Sequence, residues 1–409
     1  MATMYGGIDW ARRWLDCALV HRDGTRLGHR RIVYAETADP VGDYLSFLRE
    51  HNQTRWQAIP TAIEDTNLLF VEGLVDCGME VIHIDATKAS RARKAATVGR
   101  DVKSDKGDAF LLAEMLRSGA HAPLRRSSPQ ARALRVLAQA QGAATANRTR
   151  ALLALRASLN AYFPAAASAW PPSMGLGHPQ ARAVLALAPS PGIAATVSRM
   201  ALAQALREAK RFRTVEDEAE RLHLHFRKPA LRSDSRVEQA RMAEMLSLLA
   251  DVNHACARVE DLTALVSDSF TRHPSYKVIT SFPGIGDVLG ARILAEIGDA
   301  EERFPTARAL RAYAGMAPVT WASGISARVT IRYAVNVYLR QALTKSAFCM
   351  LPRSPGAKAY YDIRRQRGAS HFTSLRAVGA RIVSCLHHCT RHECLYDEPA
   401  AWPHYGRNG

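Results

Sequence analysis

The 409-residue sequence predicts an α/β N-terminal third, a long helical arm and a mostly α C-terminal part. Three observations carry that expectation. Short β-type runs crowd the first 34 residues, apolar residues recur at helical spacing over two long central stretches, and a Pro-Gly-x-Gly turn near residue 284 joins two apolar helical stretches. Expected boundaries are 1–122, 123–274 and 275–409, in keeping with about 100–200 residues per domain.

In the first third, Tyr5–Asp9, Trp14–His21 and Leu27–Tyr34 read as strands, with Asp23-Gly24 as the hairpin turn between the last two. A helix around Val41–His51 follows, then a strand Ala58–Ile63, a helix from about Asn67 to Cys77 and a strand Val81–Ile84. Three antiparallel strands followed by β–α–β–α is the order of the RNase H-like fold. On that skeleton Asp9 closes the first strand, Glu64 closes the fourth, and Asp105 and Asp108 open a helix Asp105–Arg117, three residues apart and so on one helical face. Clustered carboxylate oxygens of this kind suit hard Mg²⁺ ions engaged in phosphoryl transfer. Taken alone, Asp105 reads as a helix cap or dipole partner; the joint placement of all four carboxylates turns the reading to a metal site. Asp65 and Asp101 read as solvated neighbours.

The middle of the chain predicts a long amphipathic helix over Ser128–Ala161 and a second over Ser235–Phe270, able to pair as an antiparallel coiled-coil arm. Its Arg148, Arg150 and Arg156 read as nucleic-acid contacts or as a solvated face. Between the helices, residues 164–190 are broken by prolines, and 207–232 are too mixed in charge to assign.

In the last third, Pro283-Gly284-Ile285-Gly286 followed by a small-residue helix is a helix-hairpin-helix pattern, whose backbone N–H groups can hold a DNA phosphate. The alternative is a tight turn without a ligand. Helices are expected at Leu310–Ala314 and Val335–Met350, and between them 317–330 reads as a polar, irregular loop. The cluster Cys385, His387, His388, Cys389, His392 and Cys394 lacks paired zinc spacing, and Ile382, Leu386 and Cys389 share a helical face, so a packed terminal helix is expected.

Composition agrees with these assignments. Hydrophobic residues make up 47% and charged residues 23%, which excludes disordered and collagen-like classes. Apolar runs such as Ala183–Ala188 fall far short of the ~20 residues that span a bilayer, and Met1–Val20 carries Asp9, Arg12, Arg13 and Asp16 where a signal peptide needs an apolar run. A cytoplasmic protein with free thiols and no membrane partner is expected. Lys and Arg number 55 against 38 Asp and Glu, a formal +17, and nine of the 55 are Lys. A polyanion, and nucleic acid first, is the implied partner, with Arg suited to bidentate phosphate contacts.

The sequence resembles transposases of the insertion-sequence-110 family. The matching pieces are Gly7-Ile8-Asp9, Ile63-Glu64, Lys103-Ser104-Asp105-Lys106-Gly107-Asp108-Ala109, Phe282-Pro283-Gly284-Ile285-Gly286, Tyr313-Ala314-Gly315-Met316-Ala317-Pro318 and Ala322-Ser323-Gly324, in family order. The resemblance implies a RuvC-like DEDD domain in which Asp9, Glu64, Asp105 and Asp108 hold Mg²⁺, and a C-terminal transposase domain. It also implies a site-specific DNA recombinase guided by a structured RNA from its own element, with Ser323 as the nucleophile that joins to DNA. Where many members continue with a glycine-rich basic stretch, this chain has Ile325-Ser326-Ala327-Arg328-Val329-Thr330, which makes Ser326 a competing nucleophile. Arg328, Arg332 and Arg340, together with Gly284 and Gly286, are the expected nucleic-acid contacts. Strand exchange needs paired active centres, so a dimer or tetramer is expected. The alternatives are a RuvC-like junction nuclease without a covalent intermediate, and an inactive DNA-binding regulator.

Overall fold

The computed structural model describes residues 3–52, 56–65, 69–96, 104–119, 123–124, 127–171, 174–323 and 326–405; the side chains of 95–96, 301, 321–323 and 326–329 lie outside the description. Two compact units form, Met1–Arg126 and Ser127–Gly409.

In the first unit β1 (Met4–Trp10), β2 (Trp14–His21) and β3 (Arg26–Val33) form an antiparallel meander. After α1 (Pro40–His51) the chain adds β4 (Thr61–Ile63), α2 (Leu69–Asp76), β5 (Val81–His83), α3 (Ala86–Ala96) and α4 (Asp105–Ser118). The sheet order is β3-β2-β1-β4-β5, with β4 parallel to β1 and β5 parallel to β4. The elements follow along the chain in the predicted order, three antiparallel strands and then β–α–β–α. The expected strand over 58–63 is shorter, because Trp56–Ala58 makes a 3₁₀ turn first.

Two features fix where α4 lies. Ser104 caps it, accepting a hydrogen bond from Gly107 N at 3.1 Å, and Gly7 of β1 lets its backbone come close. A Cβ on Gly7 would stand 2.1 Å from Ala109 O and 2.5 Å from Ala113 N, so only glycine admits this helix against the strand. Gly7 and Asp9 are two apart and share a face of β1. The helix carrying Asp105 and Asp108 therefore packs on the face that bears Asp9.

The second unit is built on α5 (Pro129–Tyr162) and α11 (Ser235–Thr271), about 50 Å and about 55 Å long at 1.5 Å per residue. Gln141 Nε2 donates to Thr263 Oγ1 at 3.0 Å and Ser158 Oγ to Glu244 Oε2 at 3.3 Å, so ascending positions on one meet descending positions on the other. The two are antiparallel.

Between them α6 (Pro164–Ser168), α7 (Pro179–Leu187), α8 (Pro191–Thr196), α9 (Arg199–Glu208) and α10 (Val215–Phe226) enclose a separate core with the adjoining ends of the long helices, around Leu159, Trp170, Leu202, Leu222 and Met245. The unassigned 207–232 stretch thus contains α10, whose Ala219, Leu222 and Phe226 are buried.

A second core unites the other end of the arm with α12 (Tyr276–Thr280), α13 (Asp287–Ile297), α14 (Ala307–Tyr313), α15 (Val337–Met350), α16 (Pro355–Gln366), α17 (His371–His392) and α18 (Glu398–Ala401). Ile382, Leu386 and Cys389 of α17 are buried in it. The 317–330 stretch is not an irregular loop. It is a hairpin of β6 (Val319–Ser323) and β7 (Ser326–Thr330), with Val319 opposite Thr330 and Ser323 opposite Ser326. The β-branched residues at its open end, Val319, Thr320, Val329 and Thr330, favour a ladder despite the polar composition.

Candidate active site

β1 and β4 run parallel with Ile8 opposite Ile63, so Asp9 and Glu64, one residue further on each, stand side by side at the end of the ladder. Asp105 and Asp108 arrive on the first turn of α4. The consequence is electrostatic. Asp9 is pushed up to about 7, first by its own burial and then by the charges of Asp108, Asp105 and Glu64, with Arg93 pulling the other way. The four sequence-predicted carboxylates are thus close enough to act on one another.

Each is held by its surroundings. Asp108 is buried and accepts from Arg93 Nε at 2.5 Å. Asp105 is not the helix cap, since Ser104 takes that role, and its Oδ2 accepts from Trp14 Nε1 at 3.1 Å. The guanidinium of Arg31 lies 4.5 Å over the Trp14 ring, and its Nη2 donates to Asp16 at 2.8 Å. Asp16 is fully buried, directly opposite Asp9 in the β1–β2 register, and receives His29 at 2.6 Å. Two carboxylates facing each other in a ladder would repel; the Arg31 guanidinium offsets the charge of Asp16 and the His29 ring hydrogen-bonds to it.

Sequence reasoning missed Trp14, Asp16, Arg31 and Arg93. Trp14 and Asp16 were findable, because with Asp16 opposite Asp9 both fall on the face that α4 covers. Arg93 was not, since α3 has no apolar period and buries only Ala89 among its described side chains. Of the neighbours read as solvated, Asp65 is half-buried and Asp101 lies outside the described residues.

The donor set is all oxygen, the chemistry a hard divalent cation selects. Among the described residues no three His, Cys, Asp or Glu side chains are drawn together closely enough to hold a metal ion. The Arg93 guanidinium is the counter-ion of Asp108.

The remaining predicted residues lie in the second unit. Ser323 ends β6 and Ser326 begins β7; their side chains and that of Arg328 lie outside the description, as does Gly324. Arg332 follows the hairpin by two residues, and Arg340 is in the first turn of α15. Gly286 is the N-cap of α13 and faces open space. Gly284 has φ +82°, and a Cβ there would meet Cys349 O at 2.5 Å, so packing against α15 by itself demands glycine. Asp287 opens α13 with its carboxylate engaged by Ser267 at 2.6 Å and Tyr276 at 3.2 Å. No helix among the described residues is long and apolar enough to cross a membrane.

A mixed sheet with acidic residues gathered at the end of its central strands, joined to an Arg-rich helical unit, defines a protein that handles nucleic-acid phosphates. Comparison with known proteins gives the particular family. A family model described as a transposase, of the DEDD IS110 type, matches residues 6–164, and one described as "Transposase IS116/IS110/IS902 family" matches residues 276–362. The chain is 40% identical over 406 residues to the "Mini-circle putative transposase for IS117" of Streptomyces coelicolor, covering 98% of this chain and 97% of that one. It is 26% identical over 401 residues to the "Insertion element IS900 uncharacterized 42 kDa protein" of Mycobacterium paratuberculosis, covering 96% and 97%. The chain belongs to the IS110 family of insertion-element transposases and is a DNA transposase or recombinase.

Proposed function

We propose that this transposase is a Mg²⁺-dependent, site-specific recombinase of its own element, guided by a structured RNA, in which the carboxylates Asp9, Glu64, Asp105 and Asp108 work together with the nucleophile Ser323. The observation that supports the reading is the placement of four carboxylates at one end of the sheet, where burial first and then the charges of Asp108, Asp105 and Glu64 lift Asp9 to about 7. Such a cluster is short of positive charge, and its oxygen donors fit Mg²⁺ better than a thiolate or imidazole site would. Bound there, the cation would supply charge to the attacking and leaving oxygens of phosphoryl transfer.

The chain's own residues do the rest. Trp14 and the Ser104 cap orient Asp105, and Arg93 balances Asp108 until the site is filled. Ser323 Oγ bonds to phosphorus as a strand oxygen leaves, and the reverse step passes the strand to a new partner. Arg328, Arg332 and Arg340 grip the strand, and the N–H groups of α13 beyond Gly286 act as a helix-hairpin-helix phosphate contact. The α5–α11 pair is a coiled-coil arm between a catalytic domain over 1–122 and a transposase domain over 275–409, and it joins protomers into a dimer or tetramer on nucleic acid. The guide RNA rests on the family resemblance and on the +17 charge.

A second reading has its own support. The carboxylate cluster belongs wholly to the first unit and needs nothing from the hairpin to hydrolyse a junction. RNA extracted from natively purified protein, followed by recombination before and after ribonuclease treatment, tests guidance. Recombination that is lost with the RNA and restored by adding it back supports the proposal; undiminished recombination contradicts it. A junction nuclease would cut without ever becoming linked to DNA.

A further inference from the structure

At the base of the hairpin the C-terminal core opens into a cavity of about 670 Å³, within the range of roughly 300–1,000 Å³ common to small-molecule sites. Its walls come from the segment just after β7, from α15 and from the start of α17. Arg332, Arg340, Lys345 and Arg376 bring four cations to it, and none of the described residues lining it is acidic. Two large aromatic side chains share the walls although neither is covered: Phe372 is 63% and Phe348 52% exposed. Exposed phenyl rings ringed by cations are costly to leave in water, and they match a ligand with a flat apolar face and negative charge at its edge.

The details narrow the choice. Lys345 Nζ lies 5.3 Å over the Phe348 ring, so one face of that ring already has a partner. Phe372 has only an edge contact with its neighbour His371, at 5.2 Å, which leaves it as the platform. Arg332 is half-buried with its Nε shielded from water and without a hydrogen-bond partner, whereas Arg376 is steadied by Thr373 Oγ1 at 3.0 Å. Among the described residues lining the cavity no carboxylate competes for these Arg side chains.

We propose that this cavity receives one unstacked nucleotide of a single-stranded nucleic acid, its base lying on Phe372 and its flanking phosphates on Arg332, Arg340 and Arg376. A paired base in a duplex cannot present its face, so the site discriminates strands that are open from strands that are paired. Arg332 lies two residues beyond Thr330, at the base of the hairpin whose far end carries Ser323, and a nucleotide held there would register the strand against that hairpin. The inference deepens the strand-exchange reading, yet its binding requires neither divalent cation nor reaction.

The test uses the full-length protein without divalent cation and three oligonucleotides of one sequence carrying 2-aminopurine: single-stranded DNA, single-stranded RNA and duplex DNA. Stacking on Phe372 changes the fluorescence of the open strand. Phe372→Ala is expected to weaken the single strand about 5- to 100-fold, the worth of one base–aromatic stack, while duplex affinity stays within about twofold. Phe372→Leu, which keeps bulk without the π-face and guards against a folding artefact, should show most of the same loss. Arg340→Gln should lower the slope of log affinity against log salt by about one. Whichever open strand, DNA or RNA, shows the loss identifies the natural ligand. Equal loss on duplex and single strand, no loss on either open strand, or displacement of the oligonucleotide by polyglutamate at matched charge would each overturn the proposal. Because no step of the assay involves the carboxylates or Ser323, its failure leaves the recombinase reading standing, and failure of that reading leaves this binding measurable.

Discussion

The carboxylate cluster of the first unit and the cavity beside the hairpin of the second are opposites in charge and in satisfaction. Asp105, Asp108 and Asp16 each have a named partner in Trp14, Arg93, Arg31 or His29, and what remains is the burial of Asp9 among the charges of its acidic neighbours. Around the cavity the cations Arg332, Arg340, Lys345 and Arg376 meet no acidic side chain among the described lining residues, and phenyl rings face solvent. One region is arranged to attract a cation, the other to attract a polyanion. A strand-exchange enzyme needs both, and their placement on different units means that each can be damaged separately.

The largest expected effect is on the acidic side. Asp105→Asn or Asp108→Asn keeps size but removes ligand charge, and metal-dependent strand cleavage should fall by at least about 100-fold, as when a charge-stabilising group is removed from an active site. Binding to single strands without metal should hardly change. A folded variant with near-normal turnover would remove that residue from the site.

Next in size is a structural contrast on the other unit. Gly284→Ala places a Cβ against Cys349 O at a positive φ and should cost about 2–5 kcal/mol, read from the urea midpoint. Gly286→Ala meets nothing within 4 Å and should cost no more than about 1 kcal/mol, the loss of a preferred N-cap residue. If the Gly286 variant nonetheless loses duplex affinity, the N-terminus of α13 is a phosphate contact; if affinity is retained, the turn is structural.

The pattern of Gly284 and Gly286 also marks how far the sequence could be read. The turn was legible from Pro283 to Gly286, but which glycine serves packing and which faces solvent depended on where α15 passes, about sixty residues later. Strands β1 to β3 and the two long helices were legible because their periodicity runs for many residues. The carboxylates were legible because strand ends and helix starts place them. Helices α7 to α10 were not, although Ser190-Pro191 and Ser198 carry start signals, because six to twelve residues hold too few apolar repeats to define a face. The hairpin over 319–330 was obscured by its Ser, Thr and Gly content. Arg93 sits on a helix whose buried contacts are almost absent, so only the fold reveals its role as counter-ion.

A smaller effect follows from Asp9. A carboxylate raised from 3.8 to about 7 in the fold binds a proton that the unfolded chain has released, so stability is present at low pH and declines as pH rises through that interval. The metal-free protein should therefore lose stability between about pH 4 and pH 7, and Asp9→Asn should flatten that slope. An unchanged slope in Asp9→Asn would mean that Asp9 is neither buried nor crowded by the other carboxylates as the structure places it. The smallest effect expected is that of Arg93→Gln, which removes the counter-ion of Asp108. It should lower metal-free stability by about 1–3 kcal/mol, measured by urea unfolding, and added Mg²⁺ should restore part of the loss.

The most direct test of the account is the covalent intermediate itself. Reactions with end-labelled DNA, guide RNA and Mg²⁺, stopped in denaturant and resolved by mass, should contain a protein–DNA species that localises to the peptide bearing Ser323. Ser323→Ala should abolish it while Ser326→Ala only slows its appearance. An adduct that persists in Ser323→Ala and disappears in Ser326→Ala would move the nucleophile to Ser326. Cleaved DNA with no adduct in the unaltered protein would contradict the serine mechanism and leave hydrolysis by the carboxylate site alone.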